Sequence, residues 1–274
     1  MFWADLLRIL DTQMTTPTPY GWFHILFFVA SIAAGFLLCL WLKDSARYAK
    51  RVMLVTALIV IALEVYKIIN YTFRVTDGVI TADFPWYIFP WQFCSTPMYA
   101  GLLAGLTRGR LHRSLSAYLA TFAVFAGLCV MIHPGDVFIG TVGVNIQTMI
   151  CHGSMLTVGI YLLGTGYVPC RFRTLLRALP VFITAAAVAM GLNEIAFRTG
   201  LLETDSFNMF YFSPHQDPHL PLYSDVQRLV GPANPLSIII YVAGFTLAAG
   251  IVLAIAALLC RLFRRGGASR SAAG

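Results

Sequence analysis

A chain of 274 residues that is 58% hydrophobic and 11% charged, with mean hydropathy +0.75, is not a soluble domain. Soluble chains carry about 25% charge, and this length suits one bundle with short connections and no second domain. The net charge of +7 would suit nucleic acid in a soluble protein, but in a membrane protein it has first to be assigned to loops.

Residues 1–20 set Phe2, Trp3, Leu6, Leu7 and Leu10 against Asp5, Arg8 and Asp11. That pattern predicts a short amphipathic helix at the membrane interface, too short and too charged to span. A signal peptide is not expected there, because acids flank the apolar residues and no small-residue cleavage site follows. The run Thr16-Pro-Thr-Pro-Tyr-Gly21 breaks it. Seven apolar stretches follow, near 22–42, 52–74, 86–107, 114–133, 144–166, 179–199 and 234–260, each close to the roughly 20 residues that cross a bilayer. The fold predicted is all-α, a polytopic membrane bundle of about seven transmembrane helices behind a short N-terminal interfacial helix. All of residues 1–274 form one domain, with a long connection over 200–233 and a tail from 261. A connection that long in a compact bundle is usually functional, often a lid or re-entrant segment.

Most of the nineteen basic residues sit in alternate connections: Lys43, Arg47, Lys50 and Arg51; Arg108, Arg110 and Arg113; Arg171, Arg173 and Arg177; Arg261, Arg264, Arg265 and Arg270. The other connections are acidic, with Asp77, Asp83, Asp136, Glu203, Asp205, Asp217 and Asp225. The positive-inside rule then places the C-terminus in the cytoplasm, the N-terminus outside and the 200–233 loop on the extracytoplasmic side. Nucleic acid is not needed to explain the charge.

Orientation gives each polar residue a height. The third stretch opens Trp86-Tyr-Ile-Phe-Pro90-Trp-Gln92-Phe-Cys94-Ser95-Thr96-Pro97, so two prolines, an amide and a thiol interrupt its first half. Cys94 lies about eight residues below the outer surface, roughly 12 Å at 1.5 Å per residue. His152 falls at a similar depth in the fifth stretch, with Asn145 and Gln147 above it. Glu64 stands near mid-membrane with Lys67 and Asn70 above, and Asn193 and Glu194 lie in the outer half of the sixth stretch. Polar groups from several spans at one level predict a shared cavity open to the outside.

Several of these residues have a plainer reading. Glu64 and Lys67 are three apart and can neutralise each other on one helix face. His24 and His112 suit interhelical hydrogen bonds or the interface, and Gln92, Ser95 and Thr96 suit helix contacts. Pro90 and Pro97 suit a kink, while Cys39, Cys129, Cys151 and Cys260 suit small apolar fillers. The six cysteines show no CxxC or CxxH spacing, so neither a disulfide framework nor structural zinc is expected. Cys94 and His152 can be either an accident of depth or a nucleophile and its base.

Four passages carry a likeness: Phe84-Pro-Trp-Tyr-Ile-Phe-Pro-Trp-Gln-Phe-Cys94-Ser95; Ile150-Cys-His152-Gly153; Asn208-Met-Phe-Tyr211 leading to Pro214; and Gly231-Pro232. With the span plan, the chain resembles the YwaF-like family of integral membrane proteins. That family is related to a eukaryotic transmembrane cysteine acyltransferase that remodels ether phospholipids. The resemblance implies acyl transfer on a lipid, with Cys94 matching the nucleophile and His152 the general base. The expected partners are membrane phospholipids and lysophospholipids, and the expected location is a bacterial plasma membrane. Aromatics crowding the cysteine, Pro97 and the run His215-Gln-Asp-Pro-His219 depart from the family pattern.

On this reading Gln92, Ser95 and Asn193 are candidate oxyanion donors, Gln92 and Asn193 foremost. Lys67 would face thiol or lipid phosphate with Glu64 holding it, and Asn208 with the long loop would close the cavity. A metal held by His24, His133, His152 and Glu194 is the weaker chemistry, since no HExxH spacing exists. No cofactor fold or phosphate loop is visible, so no cofactor is expected. A transporter or a binding protein using the same cavity, a lipid hydrolase, and a structural scaffold are the other classes. No inverted repeat supports the transporter.

Overall fold

The computed structural model describes residues 2–135, 137–200, 207–216, 223–231 and 235–271. Among them are ten α-helices: α1 (Phe2–Leu10), α2 (Trp22–Trp41), α3 (Ser45–Thr72), α4 (Thr96–Leu106), α5 (Gly109–Leu119), α6 (Phe122–Ile132), α7 (Val142–Gly164), α8 (Phe172–Thr199), α9 (Tyr223–Val230) and α10 (Pro235–Ser271). Local chemistry fixes several ends. The Asp44 carboxylate caps α3 by accepting from the Arg47 amide at 3.2 Å. Pro97 lies in the first turn of α4, where its missing N–H costs nothing. Gly200, left-handed at φ 58°, ends α8.

Six helical stretches are long and apolar enough to cross a membrane: Trp22–Trp41, Ser45–Thr72, Gly109–Ile132, Val142–Gly164, Phe172–Thr199 and Leu236–Leu262. The helical polytopic bundle is as expected, and the difference lies in the third stretch. Over 86–107 the chain makes a 3₁₀ turn at Trp86–Ile88, runs irregularly to Ser95, and becomes helical only as the eleven-residue α4. Pro90 and Pro97 cannot donate to a helical ladder, so this stretch enters the bundle as a half-helix. Gly109–Ile132 is itself two helices, α5 and α6, broken at Ala120–Thr121.

A hairpin also stands where a bare connection was expected. β1 (Phe73–Thr76) pairs antiparallel with β2 (Val79–Ala82), Phe73 opposite Ala82 and Thr76 opposite Val79. Asp77 and Gly78 close it with φ of 53° and 80°, the positive pair that a two-residue turn requires. Glu203, Asp205, Asp217, His219 and Asp136 lie outside the described residues.

α7 is the centre of the bundle, packed against α2, α3 and α6, while α5 packs on α4 and α8 and α10 lies against α6 and α8. α5–α6 and α7 are the most buried spans, and α2 and α10 the least. Exposed Leu26, Val29, Phe36 and Leu40 on α2, and Ile239, Leu247, Ile251 and Ile255 on α10, form a surface suited to hydrocarbon and not to water. Close approach to α7 depends on glycine. A Cβ at Gly159 would meet the Val124 side chain of α6, and one at Gly153 the Ser31 hydroxyl of α2.

Candidate functional site

The break ahead of α4 leaves backbone carbonyls unpaired by helix; side chains of α4 pair those of Pro90 and Phe93, and other bonds tie the stretch to its neighbours. Trp91 donates its indole N–H to the Ala185 carbonyl at 3.1 Å, and the Tyr99 hydroxyl donates to the Pro90 carbonyl at 3.0 Å. The Thr96 hydroxyl bonds the Phe93 carbonyl at 2.9 Å and the Tyr118 hydroxyl at 2.6 Å. The amides of Ser95 and Thr96 both donate to the Gln92 carbonyl. In a bilayer such irregular backbone persists only where protein groups pair it. Cys94 is thereby held immediately before the start of α4, where the positive end of the helix dipole falls.

Cys94 lines a cavity of about 30 Å³ between α3, α4 and α7, with Met53, Thr56, Met98, Cys151 and Ser154 among its walls. The Cys151 thiol lies 3.8 Å from the Cys94 carbonyl oxygen. Ser95, the residue before α4, follows Cys94 directly and is buried. Lys67 Nζ is 2.5 Å from Glu64 Oε1, an ion pair off the line of a hydrogen bond. Gln147 donates to Glu64 Oε2 at 2.9 Å, tying α7 to α3. Glu64 is 4% exposed, so the charge is desolvated and depends on these two partners.

His152 is 7% exposed and its Nδ1 lies 2.8 Å from the Thr148 carbonyl, one turn back on α7. A carbonyl only accepts, so Nδ1 carries the proton and a neutral ring keeps its lone pair at Nε2. Nε2 has no protein partner among the described residues. Consecutive helix residues point about 100° apart, and it is Cys151 that takes the cavity wall. No hydrogen bond joins His152 to Cys94 among the described residues, and His152 is not in that wall. Cys151, read from sequence as a filler, is the side chain that meets Cys94; its adjacency to His152 at the depth of Cys94 was the available signal.

Gln92 and Asn193 do not stand free. Gln92 donates to the Asn208 carbonyl at 3.0 Å and accepts from the Phe210 amide at 2.9 Å. Asn193 donates to the Met209 carbonyl at 3.0 Å and accepts from the Met209 amide at 2.7 Å. Tyr241 of α10 donates to the Phe210 carbonyl at 3.0 Å, and the Asn208 Oδ1 accepts from the Ser213 amide at 2.9 Å. The segment 207–213 is thus fastened onto the broken stretch, with the Phe93 and Phe210 ring centroids 5.6 Å apart. It holds two consecutive non-glycine residues at positive φ, Phe210 at 60° and Tyr211 at 55°, and such strain persists only when the surroundings over-determine it. The Asn208 Nδ2 is buried without a partner among the described residues.

Two of the four groups named for a metal, His24 and Glu194, are engaged elsewhere. His24 bonds the Met131 carbonyl and the Tyr20 amide, while Glu194 pairs with Arg198 and with His215 Nε2 at 2.9 Å. Among the described residues no three His, Cys, Asp or Glu side chains are arranged to hold a metal ion.

Span-length apolar helices around a broken half-helix define an integral membrane protein of the helical polytopic class. The sequence model of the TMEM164 family matches residues 18–260, and the chain belongs to the TMEM164 family. Neither the curated proteins nor the solved structures contain a match.

Proposed function

We propose that this protein is a membrane-embedded acyltransferase that moves a fatty acyl chain between phospholipids through a thioester on Cys94. The supporting observation is the placement of Cys94. Cys94 stands at the break before α4 and lines a cavity, with the start of that helix as the positive end beside it. That end would stabilise a thiolate. Membership of the TMEM164 family accords with this reading, as does the likeness to YwaF-like proteins.

His152 takes the thiol proton on Nε2, directly after a rotamer change or through one water. The sulfur forms a bond to the ester carbonyl carbon, and the tetrahedral intermediate collapses by breaking the bond to the glycerol oxygen. That oxygen takes the proton from His152, and a lysophospholipid leaves. The hydroxyl of a second lysophospholipid then attacks the thioester, its proton passes to His152, and the C–S bond breaks, the leaving sulfur taking that proton from His152 to restore the thiol. Water in place of that hydroxyl would make a hydrolase. The Ser95 hydroxyl and the unpartnered Asn208 Nδ2 are the donors left for the oxyanion, since Gln92 and Asn193 are occupied in holding the loop. The chemistry calls for no cofactor. Phospholipids and lysophospholipids are the partners, in a bacterial plasma membrane with the N-terminus outside and the C-terminus cytoplasmic.

The test is lipid mass spectrometry of purified protein given a labelled phospholipid and a lysophospholipid acceptor. Wild type should transfer label, and Cys94→Ala and His152→Ala should not. Unchanged products in both variants would remove the assignment. The buried Glu64–Lys67–Gln147 group favours one second reading, an ion or proton relay in a transporter. Substrate flux that survives Cys94→Ser but is lost in Glu64→Gln would select it.

A further inference from the structure

A second cavity, of about 420 Å³, lies on the opposite side of α4 from Cys94, between α4, α5 and α8. Ligand sites commonly have volumes of roughly 300–1,000 Å³. Leu103, Leu111 and Val188 line it and are well exposed, so it opens sideways through the apolar surface of the spans. Its polar walls are nearly all satisfied from within. Trp91, Tyr99 and Thr184 bond backbone carbonyls, and Thr96 bonds Tyr118. Two lining groups have no partner among the described residues, the Arg110 guanidinium and the Ser114 hydroxyl. They are four apart on α5 and therefore share one helix face. Arg108 and Arg113 flank that end in sequence.

A groove whose walls ask for hydrocarbon, with one free cation and one free hydroxyl together at an end, fits a ligand that is apolar except for an anionic end. We propose that this groove binds an acyl chain of an anionic phospholipid, with the phosphate held by Arg110 and Ser114. Guanidinium and hydroxyl donors suit a phosphate, and the opening to hydrocarbon admits the chain from the bilayer without passage through water. The bound lipid is not the acyl donor. From Arg110 to Tyr118 the helix rises about 12 Å, and a phospholipid ester stays near its phosphate. Thr96 and Tyr118 line the groove and Cys94 does not. The site therefore stands whether or not Cys94 carries chemistry.

Trp91 reports on it directly. Full-length protein is reconstituted in phosphatidylcholine vesicles with a small fraction of phosphatidylglycerol brominated on its acyl chains. The Trp91 signal is taken as wild type minus Trp91→Phe. Quenching should saturate with brominated phosphatidylglycerol and not with equal brominated phosphatidylcholine. Arg110→Gln should weaken the apparent affinity about fivefold, the effect of one lost cation at a membrane surface. Val188→Phe, which narrows the groove from its exposed edge, should lower the quenching. Cys94→Ala should match wild type. Equal quenching by the two lipids, an unchanged affinity in Arg110→Gln, or quenching by a brominated free fatty acid but not by the phospholipid would each overturn the proposal.

Discussion

Asn193→Ala tests the fastening of the 207–213 segment most sharply. The amide of Asn193 forms both bonds to Met209, at 2.7 and 3.0 Å, and Met209 has no exposed surface. Removing the amide strands one buried N–H and one buried C=O at about 1–3 kcal/mol each, so anchoring falls by roughly 2–6 kcal/mol. Release of Phe210 and Tyr211 from positive φ favours opening further, since each such residue holds about 1–3 kcal/mol. Even the lower bound of about 2 kcal/mol multiplies the open population roughly thirtyfold. Hydrogen exchange of the Met209 and Phe210 amides, read by mass spectrometry on peptides from 207–213, should accelerate by at least that factor while α7 peptides keep their protection. Gln92→Ala should do the same at Phe210, whose amide it accepts. Unchanged protection of both amides in both variants would refute the clamp.

The buried ion pair gives a second expectation. Lys67→Met leaves the Glu64 carboxylate without its cation and should cost about 3–5 kcal/mol, seen as a lower melting temperature. The double variant Glu64→Gln/Lys67→Met should recover most of that loss, and a single variant melting like wild type would deny the pair any weight. Gly159→Leu should force α6 from α7 at Val124 and cost roughly 1–3 kcal/mol or more; a wild-type melting temperature would show that the helices do not meet there. Gly78→Ala meets nothing in space but sits at φ 80°, so only backbone strain of about 1–2 kcal/mol applies. Exchange should quicken within residues 73–82 alone.

Hydropathy made most of the bundle legible, because a bilayer admits few solutions and each long span states itself in about twenty residues. Counting failed at 86–107, where composition is apolar enough to span but Pro90 and Pro97 divide it. Hydropathy is blind to backbone pairing, and the groups that tie the broken stretch to the bundle, Ala185 and Tyr118, come from other helices. The hairpin was readable from Asp77-Gly78 between β-branched residues. At the site, equal depth suggested Cys94 with His152, but depth carries no azimuth. The hundred-degree step between Cys151 and His152 decides which of them faces the cavity. The ties of Gln92 and Asn193 to 208–210 were likewise beyond reach, since they join residues 16 to 118 apart through backbone atoms that composition does not reveal.

The break before α4 and the fastened loop are one device. A continuous helix through 86–107 would bury Cys94 in its own ladder, with its dipole end far away at the surface. Breaking it brings a helix start to Cys94, and the unpaired backbone this creates must then be satisfied by protein. Tyr99 and Thr96 do so on one side, for the Pro90 and Phe93 carbonyls. On the other, Gln92 turns its amide to the 208–210 backbone, which Asn193 and Tyr241 hold from α8 and α10. These bonds from Gln92 and Asn193 place Asn208, whose Nδ2 has no partner among the described residues, beside the cysteine stretch. Loosening the clamp should then lower any Cys94-dependent transfer without touching Cys94. Asn193→Ala that opens the loop yet leaves transfer at the wild-type rate would separate the two.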